Sequence, residues 1–192
     1  MGFQGAPTRT DTHRHVPFAY KITFQNKNFK RIALCAHYDT TIDTPGASDN
    51  GSGLSVLLGL ADFLSKKELD CSLEFIAFSA EEYYGMCDEI YIRHCGDQLP
   101  YIIAAINMDG IGQKLGTTTV TVAKGSEPFR IAVKEQVKRY PGILCVPPIA
   151  LSSKGVPNLA HSHWDSIEWI SETKLMEAAS IIIDIIEELT HY

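Results

Sequence analysis

Short apolar runs alternating with helical patterns constrain this chain of 192 residues more than any other feature. Strand-like runs lie at 18–24, 31–36, 72–79, 101–108, 118–123 and 143–146. Helical spacing of apolar residues fills 52–65, about 85–95, 127–139 and the stretch from 172 to 189. Ser171 stands where the N-cap of the last helix belongs, and residues 175–189 give that helix a broad apolar face. Strands and helices that alternate in this way bury themselves by packing helices against a largely parallel sheet. The expected fold is therefore α/β, a three-layer sandwich with a central, mostly parallel mixed sheet flanked by helices. No internal repeat or linker divides the chain. Residues 1–192 are expected to form one domain, with 1–17 an irregular lead-in.

Composition narrows the function. With 45% hydrophobic and 21% charged residues, the balance is that of a globular protein. The net charge of −6 argues against a nucleic-acid partner, which would need clustered Lys and Arg. No apolar run reaches the roughly 18–20 residues that a membrane span requires, and the N-terminus has no signal-peptide pattern. Cys35, Cys71, Cys87, Cys95 and Cys145 are odd in number and lack C-x-x-C spacing. They read as reduced core residues, and a cytoplasmic location is expected.

The chemistry gathers where strands end. The run at 31–36 leads into His37-x-Asp39, the run at 72–79 into Glu81-Glu82, and the run at 101–108 into Asp109. Ligands of α/β sheets collect at the carboxyl ends of strands, so these residues are expected to converge. Asp49 opens the helix at 52–65, and a long polar loop from 152 to 167 adds His161, His163 and Asp165. Each piece has an ordinary reading. Glu81-Glu82 suits the first turn of a helix, Asp49 before Asn-Gly-Ser-Gly suits a turn and N-cap, and His13-x-His15 reads as solvated. Together, however, the carboxylates would repel one another strongly without a cation. Imidazole and carboxylate are ligands that divalent metals favour. With one bridging carboxylate, five protein residues suffice for two ions.

His37-x-Asp39, Gly46-Ala47-Ser48-Asp49-Asn50-Gly51-Ser52-Gly53, Ala80-Glu81-Glu82-x-x-Gly85, Asn107-x-Asp109 and His161-x-x-x-Asp165-Ser166 resemble, in order, the five motifs of the co-catalytic di-zinc aminopeptidases. The resemblance covers the chain from about Arg31 to the end. It implies two zinc ions bridged by Asp49, one completed by His37 and Asp109 and the other by Glu82 and His161. It further implies that Asp39 holds the His37 imidazole from behind and that Glu81 is the general base. The implied substrate is a peptide with a free N-terminus, hydrolysed by metal-activated water. The spacing to Asp165-Ser166 selects His161 over His163. Trp164 reads first as a packing anchor of its loop and second as a pocket wall.

Two departures stand out. Ala160 occupies a position where some relatives carry a Tyr that can hydrogen-bond the reaction intermediate, which leaves Tyr38, Tyr83 and Tyr84 as substitutes. The segment before His37 is also short for the family. The same family includes glutaminyl cyclases, which use one zinc, and the protease-like domain of transferrin receptor, which binds without catalysis. The full set of matching ligands, together with Glu81, favours a peptidase over either.

Overall fold

The computed structural model describes residues 19–24, 30–146 and 160–190. The lead-in at 1–17, with His13 and His15, and the first part of the 152–167 loop lie outside the described residues. Among the described residues, six strands and four α-helices follow in the order β1 (Ala19–Phe24), β2 (Arg31–His37), α1 (Ser52–Leu64), β3 (Ser72–Phe78), α2 (Met86–Cys95), β4 (Ile102–Asn107), β5 (Thr118–Thr121), α3 (Glu127–Val137), β6 (Ile143–Val146) and α4 (Glu172–Thr190).

The main sheet has the order β1-β3-β2-β4. β2 runs parallel to both β3 and β4, while β1 is antiparallel to β3. This is a mixed sheet with parallel pairing at its centre. β2 is buried along nearly its whole length, which explains why its sequence is a continuous apolar run and not an alternating one. Ile32, Leu34 and Ala36 face a core shared with Val56, Leu57 and Leu60 of α1 and Ile181, Ile182, Ile185 and Ile186 of α4. Ala33 and Cys35 face the opposite side, with Ile76, Phe78, and Cys87 and Tyr91 of α2. Helices on both sheet faces make the expected three layers.

The described strands divide into two sheets, where one was expected. β5 and β6 pair in parallel with each other and not with the main sheet. A cleft of about 1060 Å³ lies between β4 and β5, floored by Ile181, Ile182 and Ile185 of α4. After β4 the chain turns at Gly110 and Gly112, both at positive φ, and Gln113 pairs with Ile170 instead of extending the sheet.

The α2 face holds one buried charge. Glu74 of β3 is 1% exposed. Its Oε1 accepts hydrogen bonds from Lys21 Nζ (3.2 Å) and Arg31 Nη1 (3.0 Å), and its Oε2 accepts one from Tyr91 Oη (2.7 Å). Removing one partner of a buried ion pair is costly because it strands the others. Glu74→Ala is expected to destabilise the fold by about 3 kcal/mol, read as a lower urea midpoint with an unchanged slope.

None of the five cysteines is in a disulfide. Burial pushes the thiols of Cys35, Cys71 and Cys87 well above the ordinary range, so they are inert core groups. Among the described residues, no helix is long and apolar enough to cross a membrane.

Candidate metal centre

The carboxyl ends of β2, β3 and β4 bring the sequence-selected residues together. His37, the last residue of β2, is buried at 2% exposure. Its Nδ1 lies 3.1 Å from the backbone carbonyl oxygen of Asp39, which places the proton on Nδ1 and turns Nε2 into the centre. Nε2 lies 3.0 Å from Asp49 Oδ1 and 3.4 Å from Asp109 Oδ1. Burial alone would lower the His37 pKa, but the Asp109 and Asp49 carboxylates outweigh it and hold the group at about 11. A metal ion bound here would displace a proton.

Asp39 acts through different atoms than expected. Its carboxylate is 3.6 Å from His37 Nδ1, too far for a good hydrogen bond, and the imidazole is held by the Asp39 carbonyl oxygen instead. The carboxylate accepts from the backbone N–H groups of Glu81 and Glu82, each at 3.3 Å. Asp39 thus ties the end of β2 to the turn that carries both glutamates.

Asp49 sits in a kinked turn at 47–51 that enters α1. The ordinary alternative for Asp49, capping this helix, falls to its neighbour Asn50. Asn50 Oδ1 accepts from Gly53 N (3.0 Å), while its Nδ2 donates to the Met108 carbonyl (2.8 Å). The Asp49 carboxylate is thereby left to face the imidazoles. Its pKa is lowered, chiefly by its contact with His37 and against the opposing effect of burial. The approach is close: a Cβ on Gly53 would lie 2.3 Å from Asn50 Oδ1 and 2.4 Å from Met108 O. Gly53→Ala is expected to cost about 1–3 kcal/mol through overpacking, measured by denaturant titration.

Glu81 and Glu82 follow Ala80, which adopts a positive φ of 64°. Burial raises both carboxyl groups, and the neighbouring carboxylates add to the effect. His161, also at positive φ, places Nε2 3.1 Å from Asp49 Oδ2 and 3.0 Å from Glu82 Oε2. Asp109 lies two residues past the end of β4.

Three donor groups have ligand atoms within 4.8 Å of one another: His37–Asp49–Asp109, Asp49–Glu82–His161, and His37–Glu81–Glu82. The first two share Asp49, with one oxygen turned to each imidazole. Glu82 Oε1 is buried without a hydrogen-bond partner, and His37 Nε2, also buried, faces the Asp49 and Asp109 carboxylates without an aligned hydrogen bond. Buried polar atoms are rarely left so, and a donor set of imidazole and carboxylate fits a divalent ion such as zinc.

His163 belongs to none of these groups. Its ring lies 4.6 Å from that of Trp164, tilted by 43°, and Trp164 is 62% exposed. Tyr38, Tyr83 and Tyr84 are exposed on the loops after β2 and β3. Asp165, read from sequence as the acid accompanying His161, is fully buried and turned toward Ser48 and Asp49. Gln113 was not anticipated at all: its Nε2 donates to Ser48 Oγ at 2.6 Å. Lys174 fixes the loop around Gln113 through the carbonyls of Gln113, Lys114 and Gly116.

Known proteins share this arrangement of elements. Aminopeptidase YwaD of Bacillus subtilis is 26% identical over 189 residues, covering 81% of this chain and 41% of its own length. The crystal structure of BSAP, a zinc aminopeptidase from Bacillus subtilis, superposes with a TM-score of 0.76 at 24% identity, over 89% of this chain and 50% of that one. A Porphyromonas gingivalis glutaminyl cyclase superposes with a TM-score of 0.72 at 20% identity, over 89% of this chain and 76% of that one. The chain therefore spans about half the length of the aminopeptidases it resembles. Residues 20–146 match the sequence pattern of peptidase family M28. On that match, which spans β1 to β6, the chain belongs to peptidase family M28.

Proposed function

We propose that this chain is the catalytic domain of a zinc-dependent aminopeptidase, with residues 1–192 acting as one unit. The observation that carries the reading is the pair of three-donor groups sharing Asp49, with Glu82 Oε1 buried and lacking a hydrogen-bond partner. His37, Asp49 and Asp109 would hold one zinc ion, and Asp49, Glu82 and His161 a second. Zinc bound there would supply Lewis acidity, polarising a peptide carbonyl and lowering the pKa of water.

The remaining work falls to the chain's own groups. Glu81 stands beside the two donor groups that share Asp49 and belongs to neither of them. Its carboxyl is raised by burial and by the charges of Asp109, Asp49 and Asp39, in the direction that suits a general base. It takes the proton of the attacking water and hands it to the leaving amine. Asp39 positions Glu81 through the backbone N–H that its carboxylate accepts. The proposed substrate is a peptide with a free N-terminus, as the name of the YwaD relative supports. Unpaired cysteines support a reducing, cytoplasmic setting.

Hydrolysis of a panel of aminoacyl-anilides, free and N-acetylated, with and without chelator, tests the reading. Cleavage of the free-amine substrates alone, lost with chelator and restored by zinc, is expected. Cyclisation of a glutaminyl peptide without hydrolysis would replace it with an acyl-transfer function. No reaction with either substrate would point to a binding domain.

A further inference from the structure

We propose that Asp165 is a positioning residue that sets the shared carboxylate of Asp49 before any metal arrives. The inference rests on reading His37, Asp49, Glu82, Asp109 and His161 as the metal centre. Asp165 is fully buried, and both of its carboxylate oxygens are engaged. Oδ1 accepts from the backbone N–H of Ser48 at 2.7 Å, and Oδ2 accepts from the N–H of Asp49 itself at 2.9 Å. The Ala47 N–H adds a third bond, to the Asp165 carbonyl at 3.0 Å. Three successive amides of the Asp49 turn are thus held by one residue more than a hundred positions away.

That residue also closes the turn that carries His161. The Asp165 N–H donates to the Ser162 carbonyl at 3.1 Å, immediately after His161. The placement of His161 relative to Asp49 is therefore fixed through Asp165. A carboxylate accepting two N–H groups makes charge-assisted bonds, which are shorter and stronger than neutral ones. The Asp49 side chain begins at an atom whose neighbouring amide cannot shift without breaking such a bond. Groups that orient metal ligands without touching the metal typically change affinity about 10- to 100-fold when removed.

Asp165→Asn keeps the shape but offers an acceptor to only one of the two amides, and its NH₂ opposes the other. Calorimetric zinc titration of metal-free variant and wild type is expected to show weaker binding of both ions, by about 10- to 100-fold. The visible spectrum of the cobalt-loaded variant is expected to change, because the shared ligand is displaced. Gln113→Ala removes a hydrogen bond to the same turn and leaves the Asp165 contacts intact. It is expected to retain the wild-type cobalt spectrum. A variant that melts earlier yet binds zinc with wild-type affinity, and with an unaltered cobalt spectrum, would overturn the proposal and leave Asp165 a structural residue only.

Should Asp165→Asn fail to fold, amide hydrogen exchange of the metal-free wild type decides. Slow exchange at Ser48 and Asp49 supports positioning in advance of metal, and free exchange until metal is added overturns it. A wild type that takes up neither zinc nor cobalt would instead sink the metal-centre reading itself, a distinguishable failure.

Discussion

Glu81→Gln is expected to lower kcat by roughly 10²–10⁴-fold, the usual contribution of a positioned general base, with zinc content unchanged. Glutamine preserves the volume and the backbone N–H that Asp39 accepts, so the turn at 80–85 should stand. The amide cannot take a proton from water at neutral pH. Because Glu81 lies outside both groups that share Asp49, its loss should appear in kcat more than in KM. Single-turnover hydrolysis and metal analysis on one sample separate the outcomes. If zinc leaves along with activity, Glu81 is a ligand in the His37–Glu81–Glu82 group and not a base.

Asp49→Ala should have the larger effect on metal. One oxygen of Asp49 lies 3.0 Å from His37 Nε2 and the other 3.1 Å from His161 Nε2, so one substitution opens both three-donor groups. Zinc affinity at both positions is expected to fall by more than about 100-fold, beyond the range for groups that only support a ligand, and hydrolysis with it. The fold should persist, because Asn50 and not Asp49 caps α1. Equilibrium dialysis against radioactive zinc, with circular dichroism as a check on folding, measures both. Retention of one tightly bound ion by the folded variant would remove Asp49 from its bridging role.

The parts of this protein that were legible in sequence are those governed by local pattern. β2 and β3 are flanked by other strands and covered on both faces, so β2 reads as a continuous apolar run and β3 as one interrupted only by Ser72 and Glu74, and their ends are conspicuous. His37 ends β2, Glu81 and Glu82 come a few residues after β3, and Asp109 lies just past β4, which is why all four stood out in the sequence as candidates. The division of the strands into two sheets was not legible. β5 is four residues long, and nothing in Thr118–Thr121 names its partner.

Contacts that depend on tertiary structure escaped the sequence for the same reason. Asp165 reaches Ser48 and Asp49 across 117 and 116 positions, and spacing within its own motif assigned it to His161. Which of Asp49 and Asn50 serves the helix start turned on side-chain direction: both residue types favour helix N-caps, and the contacts of Asn50 with Gly53 N and the Met108 carbonyl give it that place. Asp39 was associated with His37 by spacing, whereas its carboxylate is committed to the amides of Glu81 and Glu82. Trp164 was expected to pack, and its exposure shows that a large aromatic in a loop does not by itself imply burial.

The most direct test of the central claim is the zinc stoichiometry of the metal-free chain, titrated by calorimetry and checked by elemental analysis after dialysis. Two zinc ions per chain are expected in the wild type. A wild-type chain that binds one ion, or none after zinc is supplied, would contradict the shared-carboxylate centre.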